Sequence, residues 1–465
     1  MTERLSYLQG AKRRYGQLAL CSLYILTLCG FGLVSLLPFA AGETTTVTIP
    51  FRALVVVVAL TVGLTNFLAR THSTTRNTAR LLFYCFWALY IPRLLCDTYL
   101  LPRTHAREPE IYVLLGLGVC FIPAFAFIKS TPTDSTRRIL YPVIMLLSVI
   151  SLVTLNRGLS GGDVAFAHSG RLTGTDTSNP ITLGHYGATL GLLSLYLLVR
   201  AKGRTRKSSV LFVGSLLLGT MIVILSASRG PLFALLIGAT VLAFCLPPSR
   251  HRFTIRVLFA LLALSLVLFY TNLSPFVTGL GGSMEQRLRS TKISDQTAGQ
   301  DIRVGLWERA ITTAMDNPAL GYGIDLPDEG YPHNIALEAF VSLGVIGGTL
   351  FLALLAACVV RSVAFLRSSD DRSWIGLLFI QFTVAAMLSG ALFTVAEFWC
   401  FCAAIAGMGP ITSSHLRRPR LKWYEIDNRV GTATHSCYTA SNSPIHYSAI
   451  RKASRIAGSA PNGSR

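Results

Sequence analysis

Charged residues are scarce in this chain, because Asp, Glu, Lys and Arg together make up only 14% of its 465 residues. Soluble domains carry about 25% of such residues, and a soluble protein of this length would form two or three domains. The apolar residues are instead gathered in about twelve runs of roughly membrane-spanning length. These runs cover residues 17–37, 51–69, 81–101, 111–128, 139–155, 181–199, 209–225, 232–246, 253–271, 334–360, 374–392 and 395–411. The sequence therefore predicts an all-α, polytopic membrane protein with about twelve transmembrane helices.

Lysine is almost missing from one side of the predicted topology. With the N-terminus in the cytoplasm, 30 of the 42 Lys and Arg residues fall in cytoplasmic segments, and the 12 on the outer side are eleven Arg and Lys292. Acidic residues are distributed the other way, with 6 inside and 16 outside. This pattern follows the positive-inside rule, so the net charge of +20 does not require a nucleic-acid partner. The arginine bias favours an outer site for phosphate or carboxylate, although outer arginines can also reach phospholipid headgroups.

Metal and nucleotide motifs are lacking as well. The ten cysteines form no C-x-x-C pair and no Cys/His pattern with metal spacing, and most of them lie within apolar runs. The sequence has neither an Asp-x-Asp metal motif nor a glycine-rich nucleotide-binding loop. We therefore predict no disulfide framework, no metal site and no cofactor.

The apolar runs divide the chain into two parts. Residues 1–411 form a predicted transmembrane domain, whose longest outer connection is the loop 272–332. Within this loop, a helical spacing of apolar residues predicts an amphipathic helix that lies against the membrane or the protein body. These apolar residues are Ile302, Leu306, Ala310, Ile311 and Ala314. Residues 413–465 are polar and basic, and they predict a loosely ordered cytoplasmic tail, which places both termini in the cytoplasm.

Arg229 lies in "ILSASRGPLFALL", where a very short predicted outer turn joins two apolar runs. Ser228 is a candidate N-cap for the second run, and Pro231 is tolerated in a first helical turn. A cation at a helix N-terminus is unfavourable, because the helix dipole is positive there. An anion bound by the guanidinium and by free backbone N–H groups would explain the arginine. A purely structural arginine is the alternative.

His333 stands in "YPHNIALEAF", between a proline and a long apolar run. A helix N-terminus favours the neutral imidazole, which can accept a proton, so His333 is a candidate general base for a hydroxyl group. A histidine that only caps the helix, bonded to Asn334 or to backbone, is the alternative. Glu338 follows one turn after Asn334, where a carboxylate inside an apolar run is a functional candidate. It is also a candidate ion-pair partner for an outer arginine.

Further candidates lie in the two large outer loops and beside them. Arg303 is the first basic residue of the predicted amphipathic helix, whereas Arg309 can also pair with acidic neighbours on a solvated face. Arg157 and Arg171, in the other large loop, rank below Arg303. His185, in "NPITLGHYG", lies inside its apolar run, so packing in the core is the alternative to a role in binding.

Four stretches, taken together and in this order, resemble the O-antigen ligase/polymerase family of bacterial envelope glycosyltransferases. They are "GRLTGTDTSNPITLGHYG", "SASRGPLFALL", "RVGLWERAITTAMDNPALGYG" and "HNIALEAFVSLGVIGG", which lie between residues 170 and 348. Each stretch is degenerate by itself, and their joint order carries the resemblance. The twelve predicted spans agree with the family over the rest of the transmembrane domain, whereas the tail 413–465 lies outside the resemblance.

The resemblance implies an enzyme at the outer face of the bacterial cytoplasmic (inner) membrane, with a fold similar to C-type membrane glycosyltransferases. Such enzymes transfer a glycan from an undecaprenyl diphosphate carrier to lipid A–core, to another carrier-linked glycan or to protein, in lipopolysaccharide or exopolysaccharide biosynthesis. Ligases of the family invert the anomeric centre without a divalent metal. Arg229 and Arg303 are implied to neutralise the diphosphate leaving group, and His333 to activate or orient the acceptor hydroxyl. The predicted substrate-binding residues are Arg309, Arg171, Arg157, His185, Asn334 and Glu338.

A transporter or flippase of lipid-linked glycans is the alternative, since it would also be polytopic and lined with arginine. A transporter is expected to have broken helices and charges near the bilayer centre, often in two related halves. The candidate residues of this chain instead gather at one predicted face of the membrane, which favours an enzyme. Its predicted partners are the lipid-linked donor, an acceptor and membrane lipids, with the sugar and the acceptor left open.

Overall fold

The structure is a computed structural model. It describes residues 15–37, 44–68, 77–101, 107–128, 132, 136–160, 172, 179–200, 205–247, 302–327, 330–368 and 370–409. The described residues belong to one compact unit, which covers Met1–Leu416. The predicted ninth span (253–271), the loop as far as residue 301 and the predicted tail (413–465) lie outside the described residues.

Helices make up almost all of the described chain, and no strand occurs within it. They are α1 (Tyr15–Ser35), α2 (Thr44–Leu68), α3 (Thr78–Tyr99), α4 (Pro109–Ile128), α5 (Tyr141–Ser160), α6 (Pro180–Arg200), α7 (Arg206–Leu225), α8 (Arg229–Cys245), α9 (Ile302–Asp316), α10 (Ile335–Arg367), α11 (Ser373–Ser389) and α12 (Ala396–Gly407). Wider π-type turns interrupt α1 at Leu26–Gly30 and α4 at Leu114–Phe121.

Eight of the described helices are long and apolar enough to cross a membrane, namely α1 to α7 and α10. Three more, α8, α11 and α12, are apolar but shorter. These eleven helices correspond to eleven of the predicted spans, and the prediction of an all-helical, polytopic membrane protein is confirmed. The total of twelve stays a prediction, because the remaining span lies outside the described residues.

Aromatic rings and close glycine contacts hold the helices together. The Trp399 ring of α12 lies 4.7 Å from Trp87 and 5.2 Å from Phe86, both on α3. Helices α6 and α7 approach so closely that a Cβ added to Gly187 would lie 2.6 Å from the carbonyl oxygen of Gly219. Small residues at such crossings allow backbones to pack closely, which is how helices associate in a bilayer.

Two arginines cap the last turn of α12. Arg80 donates a hydrogen bond to the Gly407 carbonyl at 2.8 Å, and Arg361 donates one to the Ile405 carbonyl at 3.2 Å. The C-terminal carbonyls of a helix lack partners within the helix and carry partial negative charge, so both contacts are favourable. They tie α12 to α3 and α10 at the end of the bundle opposite to His333.

Helix α10 is broken at Gly344, and a turn that follows α9 fills the break. Gly344 has a φ of +65°, and the backbone N–H of Val345 donates to the Pro318 carbonyl at 2.8 Å. The N–H of Tyr322 donates to the Val341 carbonyl at 2.7 Å. Backbone groups released by the break are therefore paired with this turn. The pairing fixes α9 and its following loop against the first third of α10.

Candidate active site at two helix N-termini

The first half of the candidate site is the start of α10. Asn334 is the N-cap, and its side chain accepts hydrogen bonds from the N–H groups of Ala336 at 3.0 Å and Leu337 at 3.1 Å. This cap accounts for Asn334 without a contact to a substrate. His333 precedes it with a φ of +56°, a left-handed conformation that costs free energy for any residue except glycine.

Helix α9 and a tyrosine hold His333 in place. The indole Nε1 of Trp307 donates a hydrogen bond to the Pro332 carbonyl at 3.0 Å. The Tyr331 ring lies 4.4 Å from the His333 ring, between centroids. Position 303 lies one turn before Trp307 on α9, so the backbone brings the position of Arg303 towards the His333 segment.

The loop between α9 and His333 is clamped by residues that the sequence analysis missed. Asp97 on α3 accepts a hydrogen bond from the Ile324 N–H at 2.8 Å and forms an ion pair with Arg93 at 3.2 Å. Arg93 also donates to the carbonyls of Gly321 and Tyr322. Because Asp97 and Arg93 interrupt an apolar run, their charge was a signal that could have been used. What they bind depends on the tertiary structure.

An aromatic column continues from this clamp to His333. Tyr112 on α4 donates a hydrogen bond to Asp325, and its ring lies 4.8 Å from Phe393. The Phe393 ring lies 6.0 Å from Tyr331, which in turn contacts His333. Burial raises the pKa of Tyr331, and the positive charge of Arg107 partly opposes this rise. Tyr331 therefore stays protonated at neutral pH and contributes a packed ring beside His333.

Glu338 is completely buried one turn after Asn334. Its Oε2 accepts a hydrogen bond from the Leu392 N–H at 2.8 Å, and the Leu392 carbonyl accepts one from Trp399 at 2.7 Å. Glu338 thus fastens the start of α10 to the turn between α11 and α12. Within the described part of the chain, no arginine forms an ion pair with it, so its observed partner is backbone.

The second half of the candidate site is the turn before α8. Helix α8 begins at Arg229 with Ser228 as its N-cap residue, and Pro231 lies in the first turn, all as predicted. The Ser228 hydroxyl makes no capping hydrogen bond; it donates instead to the Ser226 carbonyl at 3.1 Å. Ala227 between them has a φ of +46°, so this turn is strained as well.

Helix α6 packs directly against the Arg229 turn. A Cβ added to Gly184 would lie 2.6 Å from the Ser226 hydroxyl oxygen and 2.7 Å from Cγ of Pro231. His185 is the next residue, and its carbonyl accepts hydrogen bonds from Thr189 at 2.9 Å and Gln381 at 3.4 Å. His185 is therefore adjacent to the Arg229 turn along α6, inside the bundle.

Three predicted arginines remain, and they differ in what the structure shows around them. Arg171 lies outside the described residues, but its neighbour Leu172 donates a backbone hydrogen bond to the carbonyl of Leu225, just before the Arg229 turn, at 3.0 Å. Arg157 is exposed at the end of α5 and donates to the Leu36 carbonyl at 2.9 Å, which indicates a structural contact. Arg309 is exposed on α9, away from the face that packs on α10.

The two halves share an unusual backbone feature. Among the described residues other than glycine, Ala227 and His333 are the two with a positive φ. Each lies immediately before a helix, and these helices, α8 and α10, contact each other and α11. Strained residues held by their surroundings concentrate at functional sites. In the described chain, no group of three His, Cys, Asp or Glu side chains is placed to bind one metal ion.

The fold and these turns define a multi-pass membrane protein with an arginine and a histidine at the N-termini of two helices that contact each other. The N-terminus of a helix carries partial positive charge, which suits an anion. Residues 213–352 match the family model described as O-antigen ligase, and the resemblance to the O-antigen ligase/polymerase family is thereby confirmed. The match covers Arg229, Arg303, Arg309 and the segment from His333 to Glu338. No curated protein matches the sequence.

Proposed function

We propose that this chain is a glycosyltransferase that moves a glycan from an undecaprenyl diphosphate carrier to an acceptor hydroxyl. The observation that carries the proposal is the pair of strained turns at Ala227–Arg229 and His333–Asn334, both inside the segment that matches the O-antigen ligase family. A purely structural turn would not need an arginine or a histidine at these positions, whereas a site for a diphosphate ester uses both.

In the proposed reaction, the acceptor oxygen attacks the anomeric carbon as the bond from that carbon to the diphosphate oxygen breaks. The anomeric centre is inverted by this single displacement. Arg229 and Arg303 stabilise the negative charge on the departing diphosphate, a task that arginine can perform without a metal. His333 accepts the acceptor proton or orients the hydroxyl, and Asn334 and Glu338 hold the start of its helix.

The other predicted residues take secondary roles in this proposal. Leu172, which follows Arg171 in the sequence, binds the Leu225 carbonyl. Gly184, which precedes His185, packs on the Arg229 turn. Arg171 and His185 are therefore assigned to the donor. Arg309 is exposed and is assigned to the glycan rather than to the reacting atoms. Arg157 already binds the Leu36 carbonyl, which favours a structural role for it.

The site is proposed to face the outside of the cytoplasmic membrane, with both termini in the cytoplasm. This orientation is supported by the charge distribution, with 30 of the 42 Lys and Arg residues on the opposite side. A lipid-linked donor and an acceptor such as lipid A–core, a second carrier-linked glycan or a protein would then meet at the membrane surface.

A transporter of lipid-linked glycans is the second candidate, because α10 is a broken helix. The break at Gly344 lies in the first third of α10 and is filled by the turn after α9. A transporter is expected to open its broken helices onto a central cavity. The closed break therefore favours an enzyme.

The proposal is tested by glycan transfer in vitro. Purified protein in detergent or liposomes would be incubated with undecaprenyl diphosphate glycan and a panel of acceptors, with and without EDTA. We expect transfer to at least one acceptor that is unchanged by EDTA. Loss of product on chelation would contradict the metal-free mechanism, and movement of the lipid-linked glycan across liposomes without transfer would favour the transporter.

A further inference from the structure

Helix α9 has two apolar faces, and within the described part of the chain only one of them is buried. Leu306 and Ala310 are buried against Val341 of α10. On the other side of the helix, Val304 is 42% exposed, Ile311 45% and Met315 74%. Their spacing of seven and four residues places them on one face. Leu320, in the turn after the helix, is 74% exposed.

Helix α10 carries a separate apolar stripe, which begins where the helix breaks. No residue from Ile335 to Gly344 is exposed, whereas Val345 is 50% exposed and Ile346 64%. The stripe continues through Leu352 to Val360, which is 68% exposed. Exposed apolar side chains along a transmembrane helix face the lipid, because hydrocarbon is their solvent there.

The turn after α9 meets the upper end of this stripe. The Val345 N–H bonds to the Pro318 carbonyl at 2.8 Å, which holds Leu320 close to Val345. The position of the break along the membrane normal agrees with this contact. Twenty residues at about 1.5 Å each span about 30 Å, the thickness of the hydrocarbon core. Gly344 lies 17 residues before Arg361, which caps α12 at the other end of the bundle, so the break is about 26 Å from Arg361 and near the opposite boundary of this core.

We infer that the exposed face of α9 is a lipid-contact surface that lies in the membrane interface. The surface consists of Val304, Ile311, Met315 and Leu320, and its partner is the acyl-chain and headgroup boundary of the nearer leaflet. Glu308 lies on the same side of α9, between Val304 and Ile311, and is exposed, so its carboxylate can stay at headgroup level. Lipid contact holds α9 at the level of the lipid phosphates. The contact from Trp307 to the His333 segment is thereby held at the same level. The inference does not depend on the proposed reaction.

The test is photo-crosslinking of the full-length protein in liposomes of phosphatidylethanolamine and phosphatidylglycerol. A photo-reactive phenylalanine analogue is placed at position 315 or 320, and lipid adducts are measured by mass spectrometry. Position 360, on the stripe of α10, is the positive control. Position 316 is the matched control, because Asp316 is exposed on α9 but points to another side of the helix.

We expect lipid adducts at positions 315 and 320 at least about fivefold above those at position 316, as for an interfacial helix. Adducts at 315 and 320 no more frequent than at 316 would overturn the inference, as would crosslinks from both positions to protein instead of lipid. Positions 315, 316 and 320 are exposed, so the substitutions leave the core intact. Labelling at position 360, prepared in the same way, shows that the protein inserts and that lipid contact is detected.

Discussion

The indole of Trp307 donates a hydrogen bond to the backbone carbonyl of Pro332, and this bond joins α9 to the residue before His333. It is a direct link between the segment that carries Arg303 and the strained start of α10. Because a left-handed histidine is costly, contacts of this kind are needed to hold it. The proposed site therefore depends on α9 for its shape as well as for its charge.

Replacing Trp307 by Phe should lower transfer and leave the protein inserted. The variant keeps an aromatic ring at this position but leaves the Pro332 carbonyl without its donor, which costs about 1 kcal/mol or more. We expect about a tenfold lower kcat in the transfer assay, with a smaller change in KM. Trp307→His, which can donate a hydrogen bond, should recover part of the rate. Equal rates for wild type and Trp307→Phe would remove this bond from the positioning of His333.

Replacing Arg229 separates charge from geometry. Arg229→Ala should lower transfer by at least about a hundredfold, since one group that stabilises the leaving diphosphate is worth several kcal/mol. Arg229→Lys keeps the charge at the helix N-terminus but loses the planar fork that binds two phosphate oxygens. We expect it to remain strongly impaired. Full activity of the lysine variant in the transfer assay would show that charge alone is sufficient.

His333 can be replaced without disturbing its backbone. Glycine adopts a positive φ at little cost, and asparagine tolerates it better than most residues. His333→Gly and His333→Asn should therefore fold and resist heating at least as well as the wild type, while transfer falls by about a hundredfold or more. Thermal stability and transfer are measured on the same preparations. Retained transfer in either variant would mean that the strained histidine has only a structural role.

Asp97, which holds the loop after α9, should tolerate replacement by Asn better than replacement by Ala. Asp97→Ala leaves Arg93 without its buried partner and the Ile324 N–H without its acceptor, which costs about 3–5 kcal/mol. Asp97→Asn keeps an acceptor at the same place and should cost clearly less. The measurement is the temperature of irreversible aggregation in detergent. If Asp97→Ala and Asp97→Asn are equally stable, the ion pair and the hydrogen bond do not hold this loop.

Gly344 is required by the break in α10. A Cβ at this position would lie 2.5 Å from the Ala319 carbonyl oxygen, in a left-handed conformation that is strained for alanine. Gly344→Ala should therefore destabilise the protein and displace the turn after α9. Gly214→Ala is the matched control, because no heavy atom lies within 4 Å of its added Cβ. In the helix interior that change should be neutral or stabilising by up to about 1 kcal/mol. Equal effects of the two substitutions would contradict the role of the break.

Several local features of the candidate site could be predicted from short stretches of sequence. Ser228, Arg229 and Pro231 occupy the predicted places at the start of α8. At the start of α10 the candidate cap was His333, whereas the N-cap is its neighbour Asn334. Such features depend on a few consecutive residues, so the sequence can predict them without the fold. The functions of Arg229, Arg303 and His333 stay predictions, as does the role of the tail 413–465.

The multi-pass helical class, the amphipathic helix α9 and the starts of α8 and α10 follow from hydrophobic length and local capping signals. Both are properties of single segments, so the sequence by itself determined them. The tertiary structure alone decided what each polar group meets. Glu338, a candidate partner for an arginine, binds the Leu392 N–H, and Asp97 binds Ile324, more than two hundred residues away. The physical reason is that a buried polar group takes the partner that packing brings to it. That packing depends on contacts between distant helices, which no local pattern specifies.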